Sequence, residues 1–117
     1  MQTAQPAKLL RIHISASDRY QGKPLYEAIV ARCRELKIAG ATVFRGLEGF
    51  GETAMLHKHH LARPDEPVLI AIVDSADAIE TLIAQLEPMI DTGLIATSAV
   101  EVIRVQKRAD AGKPPQP

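Results

Sequence analysis

Tryptophan is absent from this sequence, and tyrosine and phenylalanine occur only twice each. Its core must therefore be built from aliphatic side chains. A single cysteine, Cys33, excludes an internal disulfide and any metal site that needs two thiolates. Neither charge sign is in surplus: 14 basic and 14 acidic residues give a formal net charge of zero. That excludes a general nucleic-acid binder, which carries a basic excess, and lowers the electrostatic barrier to self-association. No apolar run approaches the ~18 residues of a membrane span. The stretch Met1 to Ala7 shows no basic segment followed by an apolar core, so no secretory signal is expected and the cytoplasm is the expected location. Cys33 lies among helical apolar neighbours and reads as a buried thiol in a reducing compartment.

What is present is enough for one domain: 117 residues, 46% of them apolar. Residues 1–7 read as a loose N-terminal segment, 8–107 as the domain and 108–117 as a flexible, proline-rich tail. Lys8 to Ser15 alternates, with Leu10, Ile12 and Ile14 on one side and Arg11 and His13 on the other, the period of a strand. The polar turn 17–22 follows. Pro24 then suits the first turn of a helix, and Leu25, Ile29, Cys33 and Leu36 form its apolar stripe. Gly40 is placed to end this helix near Lys37. Ala41 to Leu47 reads as a second strand. Residues 52–66 show no period, carry three histidines and read as a long functional loop. Val68 to Val73 is an unbroken apolar strand. Asp74 or Ser75 caps a helix striped by Ile79, Leu82, Ile83, Leu86, Met89 and Ile90, which Gly93 ends. Val100 to Val105 is the last strand.

The order is thus βαββαβ, an α+β fold. Two helices can cover only one face of a four-stranded sheet. The run Val68 to Val73 nevertheless asks for cover on both faces, and another copy of the chain is the simplest source of it.

Several residues are candidates for binding. The glycines of Gly46-Leu47-Glu48-Gly49-Phe50-Gly51 either let backbone N–H groups approach a phosphate or mark a strand twisting into a loop. Asp18, Arg19 and Lys23 sit where a strand turns into a helix, a position suited to an anion and equally to a solvated capped turn. Arg45, Arg104 and Lys107 offer cations from strands, for phosphate or for the surface. His57, His59 and His60 are the most metal-like group, since imidazole binds zinc, copper or nickel near neutral pH. Their spacing matches no helical ligand pair, so an exposed polar loop is the competing interpretation. Ser15, Ser17 and Ser75 have no recognisable base and acid beside them, and Cys33 has no activating motif. Nothing in the sequence points to an enzyme.

Three segments, Ser17 to Glu27, Gly40 to Gly51 and Pro67 to Asp74, together resemble the PII-like proteins grouped as domain-of-unknown-function family 190. The similarity runs from about Lys8 to Gln106. It implies a ferredoxin-like four-stranded antiparallel sheet with two helices on one face, a homotrimer, and a relation to PII signal-transduction proteins. Those proteins bind adenine nucleotides in clefts between subunits and touch partner proteins with a loop after the second strand. Here the loop 52–66 has no tyrosine, which argues against regulation by nucleotidylylation. The expected function is a trimeric regulator that binds a small anion, an adenine nucleotide, through Arg19, Lys23, Arg45, Gly46, Gly49, Gly51 and Arg104. It would signal to a protein partner through the loop 52–66. The alternatives are a metal-binding trimer that uses His57, His59 and His60, and a small enzyme with a site between subunits.

Overall fold

The structure, a computed structural model, describes residues 3–46 and 66–106. Expectations for Gly49, Gly51, the three loop histidines, Lys107 and the tail fall outside the described residues.

Strand β1 (Gln5–Ser15) leads through a two-residue pair, β2 (Arg19–Tyr20) and β3 (Lys23–Pro24), into helix α1 (Leu25–Glu35). Strands β4 (Ala41–Arg45) and β5 (Pro67–Asp74) follow, then helix α2 (Ala76–Leu86) with a 3₁₀ turn over Glu87–Met89, and finally β6 (Leu94–Val102). The main sheet has the order β4-β5-β1-β6, and every neighbouring pair is antiparallel. This is the ferredoxin-like arrangement with both helices on one face.

The alternation in β1 determines which face the helices cover. Leu10, Ile12 and Ile14 pack with Val68, Ile70 and Ile72 of β5 beneath Leu25, Ile29 and Cys33 of α1 and Ile79, Leu82 and Leu86 of α2. All of these are nearly or fully buried, so truncating one of the larger aliphatic side chains to alanine costs about 2–5 kcal/mol. Burial raises the Cys33 thiol pKa above its ordinary value by desolvation. The Ser75 hydroxyl caps α2 by accepting the Ala78 N–H at 3.2 Å. The Asp74 carboxylate instead accepts the N–H groups of Ala39 at 3.0 Å and Ser75 at 2.7 Å, which ties the start of α2 to the loop before β4.

Four boundaries differ from expectation. Strand β1 begins at Gln5 and not Lys8, because Gln5, Pro6 and Ala7 pair with Val102, Glu101 and Val100. Strand β4 ends at Arg45, short of Leu47. Strand β6 runs over Leu94–Val102, not Val100–Val105; its small and polar first half is held extended by pairing with β1. Helix α1 ends at Glu35 with Leu36 as its cap, near Lys37 as expected, but Gly40 takes no part in ending it. Lys37 itself takes the left-handed conformation at φ 60°, and the N–H groups of Lys37 and Ile38 bond back to the carbonyls of Arg34 and Cys33. In α2, the 3₁₀ turn containing Pro88 ends the helix ahead of Gly93.

The polar turn 17–22 contains a tight hairpin that periodicity did not reveal. Gln21 and Gly22 both have positive φ, 50° and 82°, the signature of a two-residue hairpin turn. Asp18 anchors it: its carboxylate accepts the Ser15 N–H at 2.9 Å and its carbonyl accepts the Leu25 N–H at 2.7 Å.

Candidate functional site

Two regions collect the expected binding residues, and they lie at opposite ends of the sheet. The first is the end from which β4 leaves and to which β5 returns. Arg45 Nε and Nη2 both donate to Glu66 Oε1, at 2.9 and 2.6 Å. The guanidinium also lies 5.9 Å from the centre of the Tyr26 ring, within cation–π range. The hydrogen bond to Glu66, with its charge, pushes the Arg45 pKa further up. Backbone bonds reinforce the closure: Gly46 N–H donates to the Pro67 carbonyl at 2.8 Å, and Ala16 N–H to the Glu66 carbonyl at 2.9 Å. A Cβ on Gly46 would come within 2.9 Å of Pro67 Cγ. In the described structure the glycine therefore serves close strand approach, and Arg45 is occupied by a carboxylate.

The hairpin of β2 and β3 stands at this same end, directly after Ser15. Arg19 pairs with Pro24, and Tyr20 with Lys23. Arg19 and Lys23 therefore fall on opposite sides of the hairpin. Both are exposed.

Arg104 lies at the other end, past the last residue of β6. Strand β1 is 11 residues long, so its two ends are separated by about 33 Å at ~3.3 Å per residue. In hydrogen-bond register Arg104 lies past the opposite end of the sheet from Arg45, yet its cleft also takes in Phe44, the chain neighbour of Arg45. Its own surroundings are distinctive. Beyond Asp74 of β5, the ends of β1 and β6 continue as a two-stranded ribbon. There Val102 and Arg104 face Ala39, Gly40, Thr42, Phe44, Ala71 and Val73 across an open cleft of about 400 Å³. A second hollow of about 420 Å³ shares Arg104 and reaches Asp74 and Ser75. These volumes fall in the range of small-molecule sites. Arg104 is the only cation among the described residues lining either hollow.

Between the two ends lies the sheet face that no helix covers. The register places Phe44, Leu69, His13 and Leu94 in one row, with Thr42, Ala71, Arg11 and Ala96 in the next. Phe44 is 52% exposed, Leu94 59% and Val73 39%. Exposed apolar side chains grouped on one sheet face are a feature that interaction surfaces share. The expectation that Val68 to Val73 needs cover on both sides is met on the helical side only. Among the described residues no three His, Cys, Asp or Glu side chains are placed to share a metal ion, and no described helix is long and apolar enough to cross a membrane. Sequence reasoning had missed Glu66 and Tyr26 as partners of Arg45; the arginine at a loop entrance and glutamate at its exit were the available signal.

The family model for DUF190, an uncharacterized group, matches residues 7–102. The chain is a DUF190 protein. A UPF0166 protein of Aquifex aeolicus is 38% identical over 98 residues, covering 82% of this chain and 92% of that one. Another, from Methanocaldococcus jannaschii, is 28% identical over 100 residues, 84% and 93% of the two chains. Among solved structures, this DUF190 fold is similar to CPII of Thiomonas intermedia K12 bound to ADP and bicarbonate. The TM-score is 0.66 at 19% identity, covering 87% of this chain and 93% of that one. CPII has also been solved with ADP, AMP and acetate, and in that form gives a TM-score of 0.65 at 17% identity with the same coverage. A Thermus thermophilus protein described as a putative PII-like signaling protein gives 0.58 at 15% identity, covering 86% and 91%. The DUF190 chain thus has the PII-like ferredoxin-type fold.

Proposed function

We propose that this DUF190 chain is a trimeric regulator that binds an adenine nucleotide in clefts between subunits and signals to a partner protein through the segment 52–66. The observation that carries the proposal is the uncovered apolar sheet face, which borders the Arg104 cleft. A second subunit laid against that face would turn the open cleft into a closed one, with Phe44 and Val73 offering apolar walls for a base and Arg104 a cation for phosphate. In this reading the site takes Arg104 from one subunit and Arg19, Lys23, Arg45 and Gly46 from its neighbour. Occupation by a phosphate would compete with Glu66 for Arg45 and so act on the residues that close the loop, coupling ligand to signal. The CPII structures with ADP and AMP support adenine nucleotides as the first ligands to try. A lone buried thiol at Cys33 suits the reducing cytoplasm.

The test is titration calorimetry of the full chain with ATP, ADP and AMP, with light scattering on the same sample. Arg104→Ala is expected to weaken nucleotide binding by about 1.5–3 kcal/mol, the range for hydrogen bonds to charged groups. Absence of heat with all three nucleotides at millimolar concentration would refute nucleotide binding.

A further inference from the structure

The cleft beside Arg104 does not stop at its apolar hollow. The hollow of about 400 Å³ and the one of about 420 Å³ share four lining residues, Ala39, Val73, Val102 and Arg104. They form one continuous trough with Arg104 at the junction, and each arm is the size of a small-molecule site. The two arms differ in chemistry. The first lies over Phe44, Ala71 and Val73 on the uncovered sheet face. The second runs past Thr3 and Gln5 and round the end of β5 to Asp74 and Ser75. Val73 belongs to the uncovered face, and Asp74, the next residue of the strand, alternates to the helical side. The polar arm therefore leads off the uncovered face and out to the start of α2.

Resting on the proposed nucleotide site, with the base in the apolar arm and phosphate at Arg104, this shape leaves the polar arm for whatever the phosphate carries beyond it. The chemistry of that arm suits hydroxyl groups and not a further phosphate. The Asp74 carboxylate is fixed there by two backbone N–H groups, Ala39 on one oxygen at 3.0 Å and Ser75 on the other at 2.7 Å. A carboxylate has about four acceptor positions, so each oxygen can still accept a hydroxyl proton, and a charged acceptor makes the stronger bond. A free terminal phosphate in the same place would meet a like charge. Among the described residues lining the arm, Arg104 is the only cation to offset it. We propose that the ligand of this site is a nucleotide whose terminal phosphate is esterified to a second, hydroxyl-bearing group, of the nucleoside diphosphate sugar class. The base occupies the apolar arm, the phosphates lie at Arg104, and the sugar hydroxyls reach Asp74, Gln5 and Thr3.

The experiment is titration calorimetry of the full chain with ADP and with ADP-ribose, which carries the same base and the same two phosphates but ends in a sugar. ADP-ribose is expected to bind about tenfold or more tightly than ADP, the equivalent of one hydrogen bond to a charged group. Ala7 lines the polar arm and not the apolar one. Ala7→Phe should therefore fill that arm and remove the preference while leaving ADP binding unchanged. Gln5→Trp fills the same arm from an exposed position and gives the same readout should Ala7→Phe fail to fold. Arg104→Ala should weaken both ligands alike. ADP binding as tightly as ADP-ribose, or a preference that the folded filling variants leave intact, would overturn the inference while the adenine nucleotide reading stands. Absence of binding by both ligands at millimolar concentration would overturn both.

Discussion

Replacing Phe44 with serine separates assembly from folding. Phe44 sits on the open face of edge strand β4 and remains 52% exposed within one subunit. A phenylalanine carries roughly 200 Å² that burial can remove from water, so about 100 Å² is left for a neighbouring subunit to cover. At about 25 cal/mol per Å² this contributes about 2.5 kcal/mol per subunit, or about 7 kcal/mol for a trimer. Losing it lowers the trimer association constant by about 10⁵. Light scattering at micromolar concentration should therefore show Phe44→Ser as smaller species, while far-ultraviolet circular dichroism keeps the wild-type shape. Ile70→Asp provides the contrast. Ile70 is on the same sheet but faces the helices and is fully buried, so an unpaired carboxylate there should abolish the folded signal itself. A Phe44→Ser protein as resistant to dilution as wild type would refute the reasoning that this face is the interface.

Lys37→Gly should stabilise the fold by about 0.5–1 kcal/mol in urea unfolding. The left-handed conformation that lysine adopts at φ 60° costs a residue with a Cβ more than it costs glycine; a loss of stability would count against that account of the α1 terminus. Cys33 supplies a pH dependence. Its thiol pKa is raised in the folded state, so above the unfolded thiol value, near 9, the unfolded chain releases a proton that the folded chain keeps. Stability is then full below that pH and falls as pH rises through the folded value. Urea unfolding from pH 7.5 to 10.5 should show this slope in wild type and lack it in Cys33→Ala, and equal slopes would refute it.

The βαββαβ order was legible because its signals are local. Strand alternation at Leu10, Ile12 and Ile14, helical spacing at Leu25, Ile29 and Cys33, and the Ser75 cap each depend on residues close in the chain. The boundaries that came out differently depend on distant residues. Leu94 to Ala99 has little strand character of its own and is extended because β1 offers it a ladder of hydrogen bonds. Gln5 to Ala7 is ordered by the same pairing. Residues 17–22 read as a polar turn, but the tight hairpin within them depends on backbone angles at Gln21 and Gly22 that no periodicity records.

The candidate site was legible only as an inventory. Arg19, Lys23, Arg45 and Arg104 are cations whatever the fold, and the resemblance of three segments to DUF190 proteins was enough to indicate the architecture. The sequence by itself determined an aliphatic single-domain core, one sheet face covered by two helices, and a second face left apolar with Arg11 and His13 upon it. Only the tertiary structure decided that Arg104 shares a cleft with Phe44 and Val73, that Glu66 occupies Arg45, and that the small row around Arg11 runs unbroken across four strands. The physical reason is that periodicity records which side of its own element a residue faces. Strand order and register determine which residues of other elements stand beside it, and these are set by pairings between residues far apart in the chain.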